Sequence, residues 1–534
     1  MIRTLSAFLI ASLCLYGNPV YAVPLMINET KLTAGDATAR DQFGNSVAVS
    51  GDTVVVGATF GDSDTVFSSG AAYVFVQAPD GTWTEQQKLT ASDPVSLDLF
   101  GISVAISEDT NTIVVGAAQL QVSGGAPGKA FVFVREADDT WSEQAKLTAS
   151  DAAVEDVFGA SVALSGDTII VGASGNDDAG NDSGSAYVFV RTGTTWSEQQ
   201  KLTASDPSNR EEFGGSVALS GDTAVVGAGL NDATGGAYVF ERSETTWTEE
   251  QILTASDADS SDLFGRAVAF NGDTIVVGAS GNDDAGDDSG SAYVFVKAPD
   301  DTWAEKAKLI ASDAVGRDFF GQSVAVSGDM IVVGAHLDDD AGENSGSVYV
   351  FVRSGSSWVQ QGKLNASDAA GRDFFGQSVA VNGDTVVVGA TGDDDGGEGS
   401  GSAYVLKVVP NFFQATLSGT RFCSDLSGTG TKEKFKDKAE LTLNLSALPL
   451  VTANVQLEHF LNPFTLSGMA LLQNPKSGVF QLFGPTGGGT ETELALSGTI
   501  KLNKKTGVWS SLKGKFQLLE RRGQCTLAGK FKAK

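Results

Sequence analysis

The sequence predicts an all-β protein, in which a seven-bladed β-propeller is followed by a small antiparallel β-sandwich or barrel domain. Three observations lead to this prediction. A phrase close to K-L-T-A-S-D recurs seven times within residues 23–409, and each unit around it divides into four short strand-like segments. After Pro410 the composition changes, and Lys, Leu, Thr and Gly become frequent in residues 411–534.

The first 22 residues have the pattern of a secretory signal peptide. A basic Arg3 precedes an apolar run from Leu5 to Leu15, and small residues follow up to Ala22. This run is too short to cross a bilayer core of about 30 Å. We therefore expect a mature chain from about Val23 that is secreted, to the periplasm, the cell surface or the extracellular space, and that has no membrane span.

The charge of the chain is divided unevenly. Residues 411–534 contain 16 Lys and Arg against 8 Asp and Glu, a net charge of +8. Because the whole chain carries −30, residues 1–410 carry −38. Affinity for nucleic acid depends on neutralising phosphates, so this balance argues against a nucleic-acid partner.

The recurring phrase defines the units. Lysine opens it in six units, and Gln251 stands in the matching position of the other one. The six are Lys31, Lys88, Lys146, Lys201, Lys308 and Lys363. Each unit continues with F-G-x-S/A-V-A, a G-D-T turn, V-V-G-A, a polar loop, G-x-A-Y-V-F and a Trp. The stretch RDFFGQSVAV occurs at 317–326 and again at 372–381, which indicates internal duplication.

The third unit illustrates the strand pattern. Residues 161–164 alternate in polarity, a Ser-Gly-Asp turn follows, and 168–171 form a β-branched run. Residues 186–190 and 196–202 provide two further strands. Four antiparallel strands in a unit of this length are typical of one propeller blade.

The two ends of the repeat region predict how the ring closes. The seventh unit stops at Leu406 and lacks its Trp strand, whereas residues 26–32 resemble that strand, with Met26 in the Trp position. We expect this first segment to complete the last blade, because pairing then covers two strand edges that would otherwise be exposed.

A Phe-Gly pair precedes V-G-A in every unit. The pairs begin at Phe43, Phe100, Phe158, Phe213, Phe264, Phe320 and Phe375. Residues 26–409 thus resemble the FG-GAP repeat of integrin α-subunit head propellers, in its bacterial exported version. The resemblance implies an extracellular seven-bladed propeller used for recognition.

Two departures limit what the resemblance implies. The Pro expected after G-A is replaced in all units, by Thr59, Ala118, Ser174, Gly229, Ser280, His336 and Thr391. Integrin-type blades also carry a D-x-D-x-D-G calcium loop between FG and GAP. Here a short turn such as 165–168 occupies that place, so calcium cannot be transferred to those positions.

Acidic residues cluster instead in the loop after G-A. Calcium prefers six to eight oxygen ligands, and interspersed glycines allow carbonyls to join carboxylates, so we expect a Ca²⁺ site in four units. The candidate ligands are Asp177, Asp178, Asp182, Asp283, Asp284, Asp288, Asp338, Asp339, Asp340, Asp393, Asp394 and Asp395. The alternative is that these residues form solvated turns without a cation.

The aromatic residues and histidines indicate structure rather than catalysis. Tyr occupies one repeat position in six units and Trp another, as expected for packing residues needed once per blade. The mature chain has only His336 and His459, and neither lies in a nucleophile or zinc motif. We therefore expect no enzyme; a glycosidase that uses a carboxylate pair is the alternative.

Residues 411–534 alternate in polarity at 439–445, 494–502 and 512–518, which predicts the antiparallel sandwich or barrel. Cys423 and Cys525 are the only cysteines left after the signal peptide. Two cysteines in one exported domain predict a disulfide; two buried free thiols are the alternative.

Together these patterns predict a monomeric exported recognition or adhesion protein whose propeller loops bind an extracellular protein or a glycan. A passive surface or matrix component is the second hypothesis, and a carbohydrate-active enzyme the third. A binding site should lie where the units deviate, as at 119–125 in the second unit or 230–236 in the fourth.

Overall fold

The computed structural model describes residues 26–409, apart from 64, 108–110, 120–126 and 231–233, and the backbone of the strands between 412 and 533. The signal peptide prediction lies outside the described residues. Leu25–Phe412 forms one compact unit and the chain from Phe413 belongs to a second, so each is considered separately. No described segment is a helix long and apolar enough to cross a membrane.

The first unit consists of seven four-stranded antiparallel sheets, the blades. Their first strands are β2 (Phe43–Ser50), β6 (Phe100–Ile106), β10 (Phe158–Ser165), β14 (Ser216–Ser220), β18 (Phe264–Asn271), β22 (Ser323–Ser327) and β26 (Phe375–Asn382). The second strands are β3 (Thr53–Ala58), β7 (Thr112–Ala117), β11 (Thr168–Ala173), β15 (Thr223–Ala228), β19 (Thr274–Ala279), β23 (Met330–Ala335) and β27 (Thr385–Ala390).

The remaining two strands complete each blade on its outer side. The third strands are β4 (Ala71–Gln77), β8 (Lys129–Arg135), β12 (Ser185–Thr192), β16 (Gly236–Ser243), β20 (Ser291–Lys297), β24 (Ser347–Ser354) and β28 (Ser402–Val409). The outer strands are β5 (Trp83–Leu89), β9 (Trp141–Leu147), β13 (Thr195–Leu202), β17 (Thr246–Leu253), β21 (Trp303–Leu309), β25 (Ser357–Leu364) and, for the seventh blade, β1 (Met26–Leu32).

The first strands form a closed ring, because each contacts the next and β26 contacts β2. The seventh blade is completed as the sequence predicts. Strand β1 pairs with β28 in a register that runs from Met26 opposite Val409 to Leu32 opposite Ala403. The predicted seven-bladed propeller and its closure by the first segment are therefore confirmed.

One detail of the repeat alignment was wrong. In the third blade Lys201 lies opposite Tyr187, and in the fourth blade the residue opposite Tyr238 is Ile252, not Gln251. Gln251 lies opposite Val239. The fourth blade thus replaces the repeated lysine by an apolar side chain.

The two motif glycines allow consecutive blades to approach closely. A Cβ on Gly172, from V-G-A, would lie 1.9 Å from the carbonyl oxygen of Gly214, from the next Phe-Gly pair. Gly214 itself has φ of 91°, a backbone conformation that disfavours other residues. The hydroxyl of Ser161 donates a hydrogen bond to the same carbonyl at 2.7 Å. The repeated residues of F-G, S and V-G-A are therefore those that make the contacts between neighbouring blades.

The hydrophobic core lies between neighbouring blades. All six residues of β11 are buried, because the blades on both sides cover this strand. One cluster joins Val114 and Val132 of the second blade to Ile169 and Tyr187 of the third. The repeated tyrosines are almost fully buried, which confirms their packing role.

The described backbone of the second unit forms eight strands. They are β29 (Phe412–Ser424), β30 (Gly430–Asn444), β31 (Leu450–Leu457), β32 (Phe464–Asn474), β33 (Ser477–Pro485), β34 (Thr492–Leu502), β35 (Trp509–Glu520) and β36 (Cys525–Ala533). They pair in chain order, and β36 also pairs with β29, so the sheet closes on itself. The choice between sandwich and barrel stays a prediction, because the side chains of a core here lie outside the described residues.

The register of β29 and β36 places Cys423 directly opposite Cys525. We expect a disulfide between them in exported protein, to be detected as a linked peptide pair by mass spectrometry without reduction. Closing a loop of about 100 residues should stabilise the domain by roughly 4 kcal/mol in the chain-entropy model. Two free thiols in the exported protein would contradict the pairing.

Candidate functional site

The acidic loops after G-A form tight turns, in which some of the loop carboxylates accept hydrogen bonds from backbone amides of the same loop. Oδ1 of Asp177 accepts a hydrogen bond from the backbone amide of Asp182 at 2.7 Å. Asp283, Asp339 and Asp394 make the same bond in their loops. Asp182 and Asp288 adopt positive φ at the turn. These predicted calcium ligands therefore hold the loop conformation.

The other predicted ligands surround a lysine ammonium. In the sixth blade Nζ of Lys363 lies 2.9 Å from Asp313 and 2.7 Å from Asp338, and it also bonds Asp340. In the seventh, Nζ of Lys31 lies 2.8 Å from Asp368, and it also bonds Asp393 and Asp395. Lys201 and Lys308 make corresponding pairs with Asp178 and Asp284. The lysine is the first residue of the repeated phrase.

The buried tyrosine completes this arrangement, which we call the lysine–aspartate cluster. The Tyr349 hydroxyl donates to Asp313 at 2.9 Å and to Asp338 at 3.0 Å, and the Lys363 ammonium lies 5.3 Å from the Tyr349 ring centre. Burial lowers the pKa of Lys363, but the hydrogen bonds to the aspartates outweigh it and the net pKa is raised. Burial raises the pKa of Asp338, and Lys363 more than reverses this. Lys363 and Asp338 therefore both carry a charge at neutral pH.

These contacts bear on the calcium prediction. The carboxylates of Asp368, Asp393 and Asp395 are the described group that could hold a metal ion, since their oxygens lie within 4.8 Å of one another. Lys31 already hydrogen-bonds all three. A calcium ion would have to displace this ammonium. Blades three and five have Asn176 and Asn282 where blades six and seven have Asp338 and Asp393, so their clusters contain one carboxylate fewer.

The fourth blade has a different version of this cluster. Where the lysine is replaced by Ile252, the Tyr238 hydroxyl donates to Asp206 at 3.0 Å and to Glu211 at 2.6 Å. Glu211 occupies a position that is Asp in the other blades, and its longer side chain reaches the tyrosine. Of the two segments predicted to deviate, the shortened loop at 230–236 is described except for residues 231–233, and 119–125 is described only at Gln119.

A ring of buried acids was missed by sequence reasoning. The residues two places before Phe-Gly are Asp41, Asp98, Asp156, Glu211, Asp262, Asp318 and Asp373, and all are at most 5% exposed. Each accepts a hydrogen bond from the backbone amide three residues earlier, as Asp318 does from Val315 at 2.9 Å. Their recurrence in every unit was the available signal. Burial raises the pKa of Asp318 to about 6.

This raised pKa predicts how the Asp318→Asn variant should behave. Because the folded pKa exceeds the unfolded one, the stability that Asp318 contributes is complete below pH 3.8 and is lost as pH rises through about 6. Asparagine keeps the acceptor for Val315 and carries no charge. At pH 8 we expect the variant to be more stable than the wild type by about 1–3 kcal/mol. Thermal unfolding checks this, and an equal gain at pH 4 would contradict it.

A cavity of about 590 Å³ lies between the seventh and first blades, and we call it the seam cavity. Phe60, Phe67 and Phe374 line it together with Arg40 and Gln42. The Phe60 amide bonds the Asp41 carbonyl, as the Gly175 amide bonds that of Asp156 in the third blade. Phe60 thus stands where the third, fifth and seventh blades have glycine and the second and fourth have Gln119 and Leu230. Counted back from the loop's final Gly, Phe67 stands where the third blade has Asn181.

Phe67 is 78% exposed, more than any other described large hydrophobic residue. The aromatic surface continues into the sixth blade, since the ring centre of His336 lies 6.3 Å from that of Phe374 and 6.1 Å from that of Phe319. Burial lowers the pKa of His336 to about 4, so the imidazole is neutral at neutral pH. His459 lies outside the described residues.

The turns between the first and second strands form a nearly symmetric arrangement. A cavity of about 540 Å³ is lined by these turns of all seven blades. The Ser165 hydroxyl accepts from the Gly221 amide at 3.0 Å and Asn271 from the Gly328 amide at 3.1 Å, so these side chains link adjacent blades. These turns use their polar groups to hold the ring together.

Comparison with known proteins identifies the repeat. A family profile described as FG-GAP repeat matches at residues 27–75, 83–133, 141–189, 196–240, 247–295, 303–351 and 358–406. The curated proteins contain no match to this chain.

Similar solved structures include the β-propeller domain of the Trilobed protease from Pyrococcus furiosus, with 10% identity and a TM-score of 0.39 over 67% of this chain and 90% of that one. The acylaminoacyl peptidase of Pyrococcus horikoshii has 9% identity and a TM-score of 0.37 over 74% and 56%. A mutant sialidase of Trypanosoma rangeli displaying trans-sialidase activity has 10% identity and a TM-score of 0.33 over 96% of each chain.

Proposed function

Because this chain belongs to the FG-GAP repeat family, we propose that it is an exported recognition protein of the adhesion type. In this proposal the loops of the propeller bind an extracellular protein or a glycan. The chain acts as a monomer without catalysis, and nucleic acid is not a partner, since residues 1–410 carry a net charge of −38. Export rests on the signal-peptide pattern of residues 1–22.

The observation that supports recognition is the seam cavity. Most polar side chains that recur in the repeat make hydrogen bonds within or between blades. Examples are Ser161 with Gly214, Trp196 with Gln144, and Ser150 with Glu198. Residues that depart from the repeat do not make these repeated contacts. One described departure also forms a cavity, in which Phe60 and Phe67 lie beside Phe374. Exposed aromatic residues around a cavity are typical of binding sites.

A binding screen tests this proposal. Purified mature protein should bind at least one member of a panel of glycans and extracellular proteins, and Phe67→Asn should weaken that binding while leaving the melting temperature unchanged. Val154→Ala removes an exposed apolar side chain of the third blade and serves as the control. Absence of binding across the panel would favour a passive surface component. Turnover of a glycan would favour the enzyme alternative.

Calcium stays a prediction, and we expect it first in blade seven, because the carboxylate oxygens of Asp368, Asp393 and Asp395 lie within 4.8 Å of one another. We expect weak binding that displaces Lys31, so millimolar calcium should raise the melting temperature more than sodium at equal ionic strength. An ion that binds only the native state stabilises it by about 2.7 kcal/mol at a hundredfold excess over Kd, and less when binding is weak.

The variant Asp395→Asn should remove most of this calcium response, because it removes one of the three carboxylates. The variant should still fold, since Asp395 is 66% exposed and the pairs of Lys31 with Asp368 and Asp393 remain. The corresponding variant of the third blade, Asp178→Asn, is the control, because that cluster has Asn176 in place of a carboxylate. If calcium and sodium act alike on the wild type, these loops are turns without a cation.

A further inference from the structure

We propose that the seam cavity binds an uncharged sugar residue of a glycan, packed against Phe67 and held by the polar side chains beside it. This inference rests on the proposed recognition function and names the class of ligand for the same site.

The apolar part of the cavity suits a sugar ring. Phe67 is 78% exposed, and Phe60 and Phe374 are partly exposed around the same space. The C–H bonds of a pyranose carry small positive partial charges, and the face of an aromatic ring is negative, so the two surfaces attract each other. Packing also removes the exposed Phe67 ring from water.

The polar part of the cavity offers both donors and acceptors. The Arg40 guanidinium is 80% exposed and lies 3.8 Å from Glu398. Asp62 accepts from the Ser68 amide through Oδ1, and within the described part of the chain its Oδ2 has no hydrogen bond. The side-chain amide of Gln42, which also lines the cavity, likewise has no hydrogen bond to the described residues. Sugar hydroxyls both donate and accept, so they match such a mixed set.

Size and charge favour a sugar over the other ligands of the proposed function. A cavity of about 590 Å³ lies within the range of roughly 300–1,000 Å³ that small ligands occupy. A protein partner needs an extended face of about 800 Å² on each side, not a single cavity. The net charge of −38 on residues 1–410 repels acidic sugars. An uncharged sugar meets neither obstacle.

Two substitutions separate the apolar from the polar contribution, and each borrows the residue of another blade. Phe67→Asn introduces the residue that the third blade has at this position, Asn181. Gln42→Leu introduces the residue that stands before Phe-Gly in the second and fifth blades, where Leu99 and Leu263 adopt φ of 56° and 58°, close to the 54° of Gln42. Both should therefore fold normally.

The experiment measures binding of the full mature chain to short neutral oligosaccharides of glucose, galactose, mannose and N-acetylglucosamine, with matched uronic-acid oligosaccharides and a panel of extracellular proteins. We expect a neutral oligosaccharide to bind, the acidic ones to bind more weakly, and Phe67→Asn and Gln42→Leu each to weaken binding about tenfold at unchanged melting temperature. Val154→Ala should bind as the wild type does.

Each other outcome overturns a different statement. Sugar binding that survives both substitutions would place the site elsewhere. Binding of a protein but no sugar, lost in Phe67→Asn, would retain recognition at the seam cavity and reject the sugar. Preference for the acidic oligosaccharides would reject an uncharged ligand. No binding to any member of the three sets would reject the proposed recognition function itself.

Discussion

Deletion of residues 23–34 should abolish the cooperative unfolding of the propeller and cause the chain to aggregate. The deletion removes strand β1, whose seven residues pair with β28 to complete the seventh blade. Loss of this strand exposes the edge of β28, a ready site for pairing with another chain. It also removes Leu32, which is 3% exposed in the core between blades seven and one.

The same deletion removes Lys31 and leaves the carboxylates of Asp368, Asp393 and Asp395 facing one another without their ammonium. We expect a loss of several kcal/mol, because removing one partner of a buried charge pair alone costs about 3–5 kcal/mol. Calorimetry measures the transition, and light scattering measures aggregation.

A synthetic peptide of residues 23–34 provides the control. Added to the truncated chain, it should restore a cooperative transition, whereas a peptide of the same composition in scrambled order should not. A truncated chain that melts like the complete one would show that β1 is not needed to close the ring.

The blades could be predicted from the sequence because the same contacts recur at every blade boundary and require the same residues in every unit. Gly172 must be glycine because of the Gly214 carbonyl, and Ser161 bonds that carbonyl, so the same letters are needed in each unit. The buried second strands also show as unbroken apolar runs. Strand order and closure then follow from the repeat number and the displaced strand β1.

The lysine–aspartate clusters could not be predicted in the same way, because their members come from separate segments that meet only when the strands pair. In the sixth blade Lys363 and Asp338 are 25 residues apart. Lys31 and Asp393 are separated by 362 residues and meet only through ring closure. The sequence showed dense carboxylates and suggested calcium, but it did not show that a lysine enters each loop. The seam cavity likewise joins the first and last units.

The mistaken alignment of Gln251 has a local cause. The fourth unit reads I-L-T-A-S-D from Ile252, so the alignment that placed Gln251 opposite the lysines was shifted by one residue. Counting five residues from Trp247, as Lys201 follows Trp196, identifies Ile252. A substituted lysine was therefore visible in the sequence but was assigned to the wrong position.

Replacement of Lys363 by Met should destabilise the propeller by about 3 kcal/mol at neutral pH, the lower end of the cost of leaving one member of a buried ion pair unpaired. Lys363 is the least exposed of the cluster lysines, at 14%, and its partner Asp338 is only 5% exposed. The variant leaves Asp313, Asp338 and Asp340 without their shared ammonium. Chemical denaturation measures the free energy of unfolding.

The destabilisation of Lys363→Met should depend on pH. The pKa of Asp338 is lowered in the folded wild type, so its contribution to stability is present above pH 3.8 and is lost as pH falls through the folded pKa. In Lys363→Met this contribution disappears and burial dominates, so Asp338 can bind a proton more readily. The difference between variant and wild type should therefore shrink toward pH 4.

Two further variants identify the cause of the destabilisation. Lys306→Met removes an exposed lysine of strand β21 and should change stability by less than about 0.5 kcal/mol. Asp338→Asn introduces the residue that blades three and five have at this position, and combined with Lys363→Met it should recover much of the loss because the buried charge is gone. If the double variant is as unstable as Lys363→Met alone, the lysine acts through packing against Tyr349 and not through its charge.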